Sequence, residues 1–158
     1  MSKKDLNTQA NKERANAAQY DAFADALELA TWPGFAKWMR KAADEEREHY
    51  QKFADYMIDR GWEVTHTALE APQTLNGDDP LPLFKAALAL EVDNTKSIND
   101  LDKKSDDEGD TQTCVFLYSW TVEEQTRSVR DLTDRVKELG RQDAAGLLLL
   151  DREYGEAD

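Results

Sequence analysis

A single cysteine, Cys114, leaves this chain of 158 residues without an intrachain disulfide or a thiolate metal site. Long apolar runs are missing as well: none approaches the roughly 18 residues that cross a bilayer, and LLLL at 147–150 is far too short. The opening segment MSKKDLNTQANKER has no apolar signal core, so a cytoplasmic protein is expected. Positive charge is scarce, with 20 Lys and Arg against 33 Asp and Glu and a formal net charge of −13. That balance repels phosphate backbones and anionic lipid, which argues against nucleic-acid and membrane partners and suits a protein that attracts cations. Hydrophobic residues at 40% and charged residues at 34% indicate a globular chain, and the length suits one domain over 1–158.

Glycine and proline are few and grouped: Pro33-Gly34, Gly61, then Pro72, Gly77, Pro80 and Pro82, then Gly109, Gly140, Gly146 and Gly155. The uninterrupted stretches between them are rich in Ala, Leu, Glu, Lys and Arg, good helix formers. Four long helices are predicted over about 3–32, 33–60, 80–106 and 110–139, with Pro33 and Pro80 in first turns and Gly140 as a stop. A short apolar segment over 143–154 reads as a fifth, exposing Leu147, Leu148, Leu149 and Leu150.

Inward stripes run at alternating steps of three and four. They are Leu6, Ala10, Glu13, Ala17, Tyr20, Ala24 and Leu27 on the first helix, and Phe35, Met39, Ala42, Glu46, His49, Phe53 and Tyr56 on the second. The third gives Phe84, Leu88, Glu91, Thr95 and Ile98; the fourth gives Val115, Tyr118, Val122, Gln125, Val129, Leu132, Val136 and Leu139. Such rhythm on four helices implies near-parallel packing around one core. The first two and last two long helices are joined by tight turns, but about 20 residues separate the second from the third. Extended, about 20 residues reach about 66 Å, enough to run beside a second helix of about 42 Å. The fold class is therefore all-α: a four-helix bundle with one long crossover between its second and third helices, plus the short fifth.

The stripes are broken by polar residues at one level: Glu13, Glu46, His49, Glu91 and Gln125. A buried carboxylate must find a partner or lose its charge, and no Lys or Arg lies on the stripes at this height. Hard cations meet that need, and oxygen ligands with one imidazole suit iron or manganese. Glu46 and His49 stand one helical turn apart, so both reach one ion. The 33-residue interval from Glu13 to Glu46 recurs from Glu91 to Glu124, so the two hairpins look like pseudo-repeats. That interval favours Glu124 as the inward group of the fourth helix, whereas the apolar stripe favours Gln125. Burial orients a helix, so Gln125 is preferred. One ion position is then ligand-rich, with Glu13, Glu46 and His49, and the other rests on Glu46 and Glu91.

On these residues the chain resembles the non-haem ferritins of bacteria and archaea, from about Leu6 to Glu153. Tyr20 stands seven residues after Glu13, GFAKWMRKAADEEREH is similar to the family's second helix, and Val122-Glu123-Glu124-Gln125 to its Asn/Ser-Glu-Gln segment. Trp120 resembles a tryptophan of bacterial ferritins, and AAGLLLLDREY the short helix that lines four-fold axes. The resemblance implies iron storage and ferroxidase activity: two irons per subunit, Fe(II) oxidised by O2 or H2O2, and ferric mineral deposited in a homo-oligomeric shell of twenty-four subunits. It assigns Glu13, Glu46, His49 and Glu91 as metal ligands, with Tyr20 and Gln125 in catalytic roles. Tyr20 or Trp120 could lend an electron; plain core packing is the alternative for each. Arg47 stands where haem-binding relatives carry Met, so no haem is expected.

The three-fold entry acids of the animal ferritins would align with Val115 and Tyr118, which cannot serve. Asp106, Asp107, Glu108 and Asp110, or Glu45, Glu48 and Glu124, stand as candidates for transit iron, with solvated acids as the alternative; Arg127 and Ser128 occupy a third site's expected ligand positions. His66, in the long loop, reads as surface. A bacterioferritin- or rubrerythrin-like di-metal enzyme would bring a second Glu-x-x-His or Cys-x-x-Cys pairs, and a non-catalytic shell subunit would not need four intact ligands.

Overall fold

The computed structural model describes residues 3–158 and consists of α1 (Lys3–Leu29), α2 (Pro33–Asp59), α3 (Pro80–Asp107), α4 (Thr111–Gly140) and α5 (Ala144–Glu156). No strand occurs among the described residues, and no helix in them is long and apolar enough to cross a membrane. Side-chain carboxylates cap three helices: Asp79 accepts from Leu81 N at the start of α3, Asp110 from Thr113 N at α4, and Asp143 from Gly146 N at α5. Gly61 and Gly109 end α2 and α3 with φ of 71° and 73°, the left-handed conformation that lets a helix turn back on itself.

One helix end departs from expectation. α1 stops at Leu29 rather than near residue 32, because Thr31 takes φ 65° and Trp32 N closes onto Leu27 O at 2.9 Å. A β-branched residue in that region costs about 1–2 kcal/mol, so the tight turn into Pro33 is held against local strain.

The crossover lies along α1. Asn7 and Asn11 side chains bond the backbone of Thr65 and Thr67. Gln19 exchanges two bonds with the Gln73 backbone, at 2.8 and 2.9 Å, and Trp32 Nε1 donates to Asp78 O. The extended segment is thus pinned from one end of α1 to the other. α1 packs chiefly on α2, α3 on α4 and α5 on α2, giving the expected all-α bundle of two hairpins.

Two apolar halves result. One gathers Phe23, Leu27, Phe35, Met39, Phe84, Leu132 and Tyr154; the other gathers Leu6, Phe53, Met57, Ile98, Leu101 and Leu117. The face of α4 differs from the predicted stripe in its first half. Val115, Tyr118 and Val122 are 60%, 59% and 52% exposed, and Cys114, Leu117 and Thr121 point inward instead. Thr121 satisfies its hydroxyl on Leu117 O at 2.7 Å, so a small polar residue fits where the sequence pattern selects valine. Of the four α5 leucines only Leu148 and Leu149 are exposed, since Leu150 is buried and Leu147 packs on the core.

Candidate metal centre

Between the apolar halves lies a polar layer to which every long helix contributes. Glu13 from α1, Glu46 and His49 from α2, Glu91 from α3 and Gln125 from α4 are all buried. Glu13, Glu46 and His49 each direct one ligand atom into a space where the three lie within 4.8 Å of one another. A cation with bonds of about 2.0–2.6 Å would reach all three. His49 Nδ1 is the nitrogen turned inward, 3.1 Å from Glu46 Oε1 and 3.9 Å from Glu13 Oε2. Glu91 sits across the layer, its two oxygens accepting from Tyr20 O–H at 2.7 Å and Gln125 Nε2 at 3.2 Å. The remaining oxygen of Glu46, Oε2, is buried and has no hydrogen-bond partner.

The electrostatics follow from the crowding. Burial first, and the charge of Glu46 second, push the Glu13 carboxyl well above the usual carboxylate range, against a smaller downward pull from His49 and the Gln9 amide. Burial and then the charge of Glu91 push Glu46 up to about 8. Burial and mutual repulsion thus favour the protonated form of these carboxyls, and a cation binding among them works in the opposite direction. Burial and the Glu91 charge also raise the Tyr20 phenol, which therefore stays protonated beside its acceptor.

Three residues of the layer escape the stripe reading. Gln9 Nε2 donates to Glu13 Oε1 at 2.7 Å and to Asn94 Oδ1 at 2.9 Å, while Asn94 Nδ2 reaches both Glu13 oxygens at 3.3 Å. Asn16 is the third. Gln9, Asn16 and Phe23 on α1, and Ala87, Asn94 and Leu101 on α3, form buried columns of period seven beside the predicted ones, and that spacing is the signal that could have found them. The rival readings of α4 both describe something present: Gln125 points inward, and Glu124 stands at the rim, Oε1 3.7 Å from His49 Nε2.

Other sequence candidates lie apart. Glu45 and Glu48 are exposed on α2, with burial of part of its side chain raising the Glu45 carboxyl. Asp106, Asp107 and Glu108 are exposed, but Asp110 is buried, capping α4 and accepting from Arg60 at 3.0 Å, so it is occupied structurally. His66 is exposed and bonds Tyr50 O–H at 2.6 Å. The Trp120 ring lies 5.1 Å from the His49 ring, with the Lys52 ammonium over its face. A cavity of about 220 Å³ descends from Lys41, Asp131 and Arg135 to Tyr20, Glu46 and Glu91, giving the layer a route to the surface.

Comparison with known proteins agrees with this architecture. A family model described as Ferritin-like domain matches residues 3–141. The chain is 33% identical to a bacterial non-heme ferritin of Staphylococcus haemolyticus over 150 residues, 94% of this chain and 89% of that protein. It is 32% identical to the soma ferritin of Lymnaea stagnalis over 139 residues, 86% of this chain and 79% of that one. Among solved structures it is similar to an open-pore ferritin of the archaeon Archaeoglobus fulgidus, with TM-score 0.93, 33% identity, and coverage of 100% of this chain and 99% of that one. An engineered closed form of the Archaeoglobus fulgidus ferritin gives TM-score 0.94 and 34% identity, covering 100% and 98%.

Proposed function

The chain belongs to the ferritin family, and from that premise we propose that Glu13, Glu46, His49 and Glu91 bind two Fe(II) ions in each subunit. The protein stores iron and acts as a ferroxidase. In our reading the first iron lies among Glu13, Glu46 and His49, the second between Glu46 and Glu91, and Glu46 bridges them. The observation that carries this is the second oxygen of Glu46, buried, without a partner, in a layer where three carboxylates meet one imidazole.

Two Fe(II) ions supply two electrons. With two protons they reduce O2 to H2O2, or H2O2 to two waters, and leave two Fe(III). Cation binding competes with protonation of the raised Glu13 and Glu46 carboxyls, so uptake of Fe(II) is coupled to proton release. Carboxylates favour Fe(III) over Fe(II), which drives the oxidation. Gln125 and Tyr20 orient Glu91 through its two oxygens. Product leaves by the cavity under Lys41 and Arg135, toward mineral inside a cytoplasmic homo-oligomeric shell.

Anaerobic Fe(II) titration should saturate at two ions per chain, and mixing with O2 should give an absorbance burst that stops at the same ratio. Glu46→Ala should lose the burst, whereas Glu91→Ala should keep one ion and weaken binding of the other. A parent-like burst in Glu46→Ala would refute the bridging assignment.

A further inference from the structure

α1 and α3 carry the same short pattern, Glu13-x-x-Asn16 and Glu91-x-x-Asn94, with both members 78 residues apart. Both asparagines are buried, 3% and 0% exposed. Asn94 crosses to α1 and bonds both oxygens of Glu13. Asn16 has the corresponding place on α1, and its side chain, with that of Glu13, lies close enough to the Glu46 carboxyl on α2 to lower its pKa as a hydrogen-bond partner does. Yet its Nδ2 has no hydrogen-bond partner, and neither has Glu46 Oε2. An orphaned buried donor next to an orphaned buried acceptor is rare in protein interiors, where nearly all such groups are satisfied.

We infer that Asn16 is a positioning residue for Glu46, donating its amide N–H to that carboxylate when iron is bound. The inference rests on the ferroxidase reading above. At present Glu46 Oε1 leans on His49 Nδ1 at 3.1 Å. A metal ion takes that nitrogen as a ligand, so Glu46 loses this contact while its carboxylate oxygens keep lone pairs that the metal does not fill. The carboxamide of Asn16 is on hand, and it is neutral. A Lys or Arg there would orient Glu46 equally well but would repel the incoming cation. Asn94 and Gln9 already serve Glu13 in this way with neutral amides alone.

The test compares the parent with Asn16→Leu and Asn16→Ala, using Zn(II) as a redox-inert probe and Fe(II) with O2 for turnover. In chelator-treated protein, Asn16→Leu should melt at or above the parent temperature, because it removes an unsatisfied donor from the interior. Zn(II) affinity by calorimetry should fall about 10–100-fold in both variants, the rise in melting temperature on adding Zn(II) should shrink, and the Fe(II) burst should slow. Parent-like Zn(II) affinity and burst in either variant overturns the inference, as does a lower melting temperature of the chelated protein with unchanged affinity, which marks a packing role. If Asn16→Leu fails to fold, Asn16→Ala decides. Should the parent itself bind neither Zn(II) nor Fe(II) in this layer, the ferroxidase reading falls and the inference with it; parent-like variants alone remove only the role of Asn16.

Discussion

Tyr20 stands where the larger apolar half meets the polar layer. Its ring is edge-on to Phe23 and Trp38 with centroids at 6.3 and 6.5 Å, and its hydroxyl bonds Glu91 at 2.7 Å. From that placement we propose that the phenol serves as an electron source with a proton acceptor attached, its proton passing to Glu91 when an electron is lost. Two Fe(II) ions suffice to take O2 to H2O2; carrying it on to water needs two further electrons, of which Tyr20 can lend one and Trp120 the other. Tyr20→Phe should still bind two Fe(II), since the hydroxyl contacts a ligand and not the ligand space of Glu13, Glu46 and His49. It should oxidise the first pair several-fold more slowly and lose a transient tyrosyl signal in rapid-freeze paramagnetic resonance. Unchanged burst kinetics, with no radical in the parent, would leave Tyr20 a core aromatic. The residues of this layer differ in how far the sequence discloses them. Glu13, Glu46, His49, Glu91 and Gln125 interrupt apolar stripes and so announce themselves. Gln9, Asn16 and Asn94 lie in flanking columns, where a polar residue looks like the edge of a solvated face until the packing of α1 against α3 is known.

At the scale of elements, α5 is both docked on α2 and part of its capping. Trp32, the residue before α2, makes no side-chain cap bond; Asp151 of α5 supplies it instead, accepting from Phe35 N at 2.8 Å. Burial raises that carboxyl, partly offset by the N–H groups of Phe35 and Gly34. The approach is close enough that a methyl group at Gly34 would collide with the Asp151 carbonyl oxygen and lie 2.8 Å from Gly155 N. Gly34→Ala should therefore lift α5 while sparing the long helices. Hydrogen exchange should accelerate over 144–156 with the α1–α4 amides still protected, and the cost by denaturant unfolding should be about 1–3 kcal/mol. Unaltered protection of α5 would show that the backbone yields instead. Helix breaks at Pro33, Gly61, Pro80 and Gly109 are legible because those residues constrain the backbone on their own. The end of α1 is not, since Thr31 adopts a glycine-like φ only under the pull of the turn around it. The inward face of the first half of α4 is also hidden: valines and a tyrosine outnumber the polar choices, yet Thr121 and Cys114 are the side chains that fit.

The molecule as a whole carries more apolar surface than its interior needs. Leu148 and Leu149 on α5, Val115, Tyr118 and Val122 on α4, Leu29, Ile58 and Val92 are all more than half exposed. They are spread over several faces, which suits repeated contacts with copies of the same chain in a closed assembly, proposed here as about 24 subunits. The exposed pair on α5 offers the cleanest test. Deleting 142–158 would also remove Asp151 from the start of α2 and Tyr154 from the apolar half around Phe35 and Phe84, so a failure to assemble could reflect a damaged bundle. Leu148→Glu with Leu149→Glu leaves Leu150, Asp151 and Tyr154 in place and adds charge only to the outer face of α5. The parent should sediment as one large particle of about 24 chains, and the double variant should fall to smaller species, because carboxylates brought together at a contact among copies repel and cannot be desolvated cheaply. Circular dichroism and Zn(II) affinity per chain should match the parent, since the polar layer is built within one chain from α1 to α4. A full-sized particle from the double variant would place α5 outside the contacts that close the shell, and a parent that sediments as a monomer at micromolar concentration would remove the shell altogether.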